Sequence, residues 1–115
     1  MSNMDCPFEV GNRESLTIQA DIEGKLFDVY YPIFTNHGYT GNGYSWEGHI
    51  VQILEQTDPD LISRITFDPE AGSFFAIAKD YEALTRFQDA LCPIFIDLDM
   101  LGKYLDSADR TRIDD

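Results

Sequence analysis

Residues 15–20, S-L-T-I-Q-A, alternate apolar Leu16, Ile18 and Ala20 with polar neighbours. A period of two marks a half-buried strand. Glu23-Gly24 follows as a turn signal. Residues 26–33 then predict the returning strand of a hairpin, with Phe27, Val29 and Tyr31 on one face and Leu26, Asp28 and Tyr30 on the other. Pro32 ends or edges that strand. Residues 35–44 hold three glycines and two asparagines, a composition that favours positive φ angles over regular structure. Beyond them Trp46, Ile50, Ile53 and Leu54 recur at helical spacing, which predicts a helix over 46–56 with Ser45 as its N-cap and Glu47 in its first turn.

The second half repeats the theme. Asp58-Pro59-Asp60 punctuates the chain and starts one short turn. Residues 63–68 predict a strand with Ile65 and Phe67 on one face; residues 69–72 turn; residues 73–78 return. Both faces of that last strand are apolar, so it is expected to be central. Asp80 caps a helix running to about residue 91, with Leu84, Phe87 and Leu91 on its buried stripe. Pro93 is expected to interrupt, and Ile94, Leu98, Leu101 and Leu105 continue at helical spacing. The expected fold is α+β: an antiparallel sheet of about four to five strands with two to three helices packed on one face. Residues 1–115 are read as one domain, with 106–115 a frayed acidic tail.

Composition adds one strong constraint. The chain of 115 residues carries 21 Asp and Glu against 8 Lys and Arg, a formal charge of −13. Such a surface repels phosphate backbones and anionic membranes, so neither is an expected partner. A basic protein partner would relieve the self-repulsion; plain solubility accounts for the charge equally well. Residues 1–10 contain neither a basic region nor an apolar run, so no secretory signal is expected and the protein is read as cytoplasmic. Cys6 and Cys92 have no metal-knuckle spacing and are expected to be two reduced, partly buried thiols.

Chemistry-bearing patterns are weak. Gly38, Gly41 and Gly43 precede a helix, but the loop closes Gly43-Tyr44-Ser45 without the lysine of a phosphate loop. His37 and His49 lie twelve apart and no cysteine completes a zinc set; His49 is expected at the rim of the helix or in solvent. Ser45 and His49 stand at i and i+4, though an N-cap is the more economical role for Ser45. Asp97-Leu98-Asp99 lacks the other oxygen ligands of a calcium loop. Neither metal nor cofactor is expected. What the glycines alone leave unexplained is the cluster of His37, Tyr39, Tyr44 and Trp46 around them, since aromatic residues on loops are typical interface anchors.

The run F-T-N-H-G-Y-T-G-N-G-Y-S-W-E at residues 34–47 resembles the signature of an immunity-protein family of bacterial polymorphic toxin systems, immunity protein family fifty-one. Gly38, Tyr39, Gly41, Asn42, Gly43, Tyr44, Trp46 and Glu47 carry the likeness. The F-D-P-E-A-G-S-F-F-A run at 67–76 is similar to that family's turn between two strands. The resemblance implies a non-enzymatic protein that binds and neutralises a cognate toxin, a basic nuclease being the class that suits the acidic surface. The corresponding interface candidates are His37, Tyr39, Tyr44 and Trp46 as anchors, with Glu47, Asp58 and Asp60 as nearby charges. Two other readings compete: a small-ligand sensor or enzyme using the 35–46 loop as a pocket lip, and an acidic mimic of nucleic acid.

Overall fold

The computed structural model describes residues 5–113; residues 1–4, and residues 114–115 of the expected tail, lie outside. Four antiparallel strands form one sheet in the order β1-β2-β4-β3, where β1 is Glu9–Val10, β2 Thr17–Asp21, β3 Ile65–Phe67 and β4 Ser73–Ala78. The described residues hold four helices rather than two to three: α1 Phe27–Asn36, α2 Gly43–Thr57, α3 Tyr81–Phe95 and α4 Leu98–Ser107. Short 3-10 segments follow at Pro59–Arg64 and Arg110–Arg112. Strand β4 lies inside the sheet, as its two apolar faces predict.

Alternation divides the sheet. Ile18 and Ala20 of β2, Ile65 of β3, and Phe74, Ala76 and Ala78 of β4 are buried on the helix-covered side. There Phe8, just before β1, is the hub of the aromatic core. Its ring centroid lies 5.9 Å from Trp46 of α2, 5.8 Å from Phe74 of β4, and 5.1 and 5.0 Å from Phe87 and Phe95 of α3. Burying one such ring is worth about 1.5–3 kcal/mol before the edge-to-face pairing adds to it.

The predicted strand at 26–33 is instead α1. Apolar residues stand at every position of that stretch except Asp28 and Pro32, so a period of two and a helical stripe through Leu26, Tyr30, Ile33 and Phe34 fit equally well. Tertiary contact decides between them. Tyr30 and Phe34 are buried, and the Tyr30 hydroxyl donates to the Phe95 carbonyl at 2.7 Å, a burial that pushes its pKa up. Proline is tolerated twice where one was expected to break structure. Pro32 sits within α1 and Pro93 within α3, both exposed, so each costs its helix one hydrogen bond on the solvent side. Asp97 then caps α4, its side chain accepting from the Met100 amide at 3.2 Å.

Cys6 and Cys92 are joined in a disulfide, not reduced. The two Cα atoms are 5.1 Å apart, within bonding reach, although 86 positions separate them in sequence. The bridge ties the segment carrying Phe8 to α3. At the other end, the stretch expected to fray from Asp106 folds back on α2. The Gln52 side chain donates to the Asp109 carbonyl at 3.0 Å and accepts from its amide at 2.8 Å. Ile113 packs against the core, lying so close to Gly48 that a Cβ there would come within 2.8 Å of its Cδ1.

Candidate functional site

The glycine-aromatic segment is built from the backbone outward. Gly38 and Gly41 adopt φ of +85° and +77°, the left-handed region that costs other residues. These two reversals swing Tyr39 inward, where it is 4% exposed and its ring meets His49 edge-on at 4.3 Å. Arg110 closes the other side. Its guanidinium lies 4.3 Å over the Tyr39 ring and donates to the carbonyls of His37 at 2.7 Å and Gly38 at 3.1 Å. Asn42, not Ser45, is the N-cap of α2: its side chain accepts from the Ser45 amide at 2.8 Å. Gly43 is then required for contact, because a Cβ there would lie 1.8 Å from the Glu70 carbonyl oxygen and 2.3 Å from that of Ser73.

Two of the seven residues expected to meet a partner, Tyr39 and Trp46, are buried. Trp46 has no exposed surface, and is ringed by Phe8, Tyr30, Phe34 and Phe95. Among the described residues its Nε1 meets no hydrogen-bond acceptor. His37 is half-buried, its Nδ1 2.8 Å from the Ile33 carbonyl oxygen. His49, expected at the rim, is 1% exposed, and Ser45 is fully buried. A serine and histidine so enclosed cannot reach a substrate. The loop itself lies against α2 through Tyr39.

Two of the seven keep accessible surface near the start of α2. Tyr44 is 41% exposed and Glu47 half-buried; with Gly48, Val51 and Arg112 they line a shallow groove of about 210 Å³. Asp58 and Asp60 sit past the other end of this 15-residue helix, about 20 Å along its axis by the ordinary rise. Asp58 is engaged by Arg86 at 2.5 Å, and Asp60 is exposed. The seven residues thus do not converge on one patch. Among the described residues, no group of three or more His, Cys, Asp and Glu is placed to hold a metal ion.

A surface that sequence reading passed over lies on the opposite side of the sheet. Phe75 and Ile77 point there, half-buried and 44% exposed, and Gln19, Thr66 and Asp68 are exposed beside them. An open groove of about 600 Å³ adjoins its β1 end, where Glu9 and Asp21 line it together with Asp5, Lys25, Leu26 and Val29. The alternation that marked β4 as two-sided was the available signal. That signal predicts a central strand and does not by itself say that one face stays open.

Residues 16–110, well over half the chain, match the family model described as Immunity protein 51. No curated protein and no solved structure matches the chain.

Proposed function

The chain belongs to the immunity protein 51 family, and from that membership we propose that it protects the producing cell by direct, non-covalent binding of a cognate toxin in the cytosol. The observation that carries the reading is the family match, which spans β2, β3, β4 and all four helices. The charge of −13 supports a basic partner, nucleases among them, because opposite fields steer encounter and raise association rates. The enclosed Ser45 and His49 agree with a role in binding and not in turnover. Of the expected set, Tyr44 and Asp60 are exposed and His37, Glu47 and Asp58 half-buried, while Tyr39 and Trp46 are buried within the segment they shape.

The test is titration calorimetry against the toxin domain encoded beside this gene, at low and at physiological salt. A one-to-one complex that weakens as salt rises is the expected result. No heat of binding at either salt concentration overturns the proposal.

A further inference from the structure

Strand pairing places every side chain of the uncovered sheet face without ambiguity. Ile77 stands between Thr66 of β3 and Thr17 of β2. The next row runs Phe75, Gln19, Glu9, with Asp68 beside Phe75, whose carbonyl accepts from the Asp68 amide at 2.8 Å. The third row holds Ser73 between Glu70 and Asp21. An antiparallel sheet face left to water ordinarily turns polar residues outward. Here the middle strand turns out Phe75 and Ile77, and the neighbouring strands surround them with Thr, Gln and four carboxylates.

Apolar residues at the centre with a polar and charged margin form the layout of a protein interface. The carboxylates identify the occupant. Among the described residues, Glu9, Asp21, Asp68 and Glu70 enter no ion pair, whereas Arg64, Arg86 and Arg112 are all spent on carboxylates elsewhere. Lys79 continues the outward alternation at the far end of β4, so negative charge gathers towards the Glu70–Asp21 end. A second copy of this chain would set like charges against each other, and nucleic acid would do the same.

We propose that this open sheet face is the surface that grips the toxin: an apolar side chain of the partner sits on Phe75 and Ile77 while its lysines or arginines meet Asp68, Glu70, Asp21 and Glu9. The inference rests on the toxin-binding function proposed above and names the face that performs it. The groove beside β1 adds Asp5 to this margin, with Lys25 also on its lining.

Calorimetry with the toxin domain encoded beside this gene tests the face. The variants are Ile77→Asp and the double reversal Asp68→Lys/Glu70→Lys, with Tyr44→Ala and Asp60→Lys on the α2 side as comparators. Ile77→Asp is expected to raise Kd about thirtyfold or more, as loss of a central anchor does. The double reversal is expected to raise Kd about tenfold and to flatten its salt dependence; the α2-side variants bind as the parent does. Asp68 and Glu70 are exposed, so the double reversal carries the test even if Ile77→Asp unfolds, which circular dichroism would reveal. Parent-like binding by the sheet variants, with loss in Tyr44→Ala or Asp60→Lys, overturns the face and leaves the toxin-binding function standing. Failure of the parent itself to bind overturns both.

Discussion

Gly43 has the least room of any residue in the glycine-aromatic segment. A methyl group there would collide with two backbone carbonyls of the β3–β4 turn, and backbone cannot swing aside as a long side chain can. Gly43→Ala is therefore expected to lower stability by about 1–3 kcal/mol, measured as a shifted urea midpoint with unchanged slope. A change below about 0.5 kcal/mol, the range of ordinary surface substitutions, would show that the turn yields. The same segment shows why the inward turn of Tyr39 is not legible in the sequence. Glycines on a loop foretell unusual φ angles, and those arise at Gly38 and Gly41. What they do to the intervening side chain depends on the partner across the gap. Tyr39 turns in because His49 and Arg110 receive it, and both lie far along the chain.

The start of α3 shows how an element is held by one side chain. Asp80 accepts from the Ala83 amide at 2.8 Å and from Arg64 at 2.6 Å, and these bonds, the amide first, hold its carboxyl below the ordinary aspartate range. A depressed folded-state pKa gives stability that is present above the unfolded value, about pH 4, and is lost as pH falls through the folded one. Urea midpoints should accordingly fall below about pH 4, and Asp80→Asn, which cannot titrate, should show a shallower fall. This cap was legible in advance because Asp followed by an apolar stripe is a local signal. So were β2, α2 and β3, whose periods are clear, and β4, a short apolar run that follows a turn. Helix α1 was not, since Phe27 to Phe34 is apolar at both periods and the Tyr30–Phe95 contact that decides lies 65 residues away. The run of α3 through Pro93 was hidden for a different reason: an exposed proline costs one bond, and the buried Leu91, Ile94 and Phe95 around it outweigh that cost.

At the scale of the molecule, the longest constraint is the bridge from Cys6 to Cys92. Closing so long a loop restricts the unfolded chain, and reduction is expected to cost about 2–5 kcal/mol. Thermal unfolding with and without dithiothreitol should show a lower midpoint in the reduced protein; a Cys6→Ser/Cys92→Ser variant should give that lower value in both buffers. Equal midpoints for oxidised and reduced protein would remove the bridge from the account of stability. Where thiols are kept reduced, the Phe8 ring and the pairing of β1 with β2 are left to hold the first strand to the core. Strand β4 carries a consequence of another kind, for descent with change. Its inward residues Phe74, Ala76 and Ala78 meet the helices, and its outward residues Phe75 and Ile77 meet none. Two neighbouring codons therefore answer to different selective pressures. The outward ones answer to whatever the open face meets, while the inward ones are held in place by the layer they support.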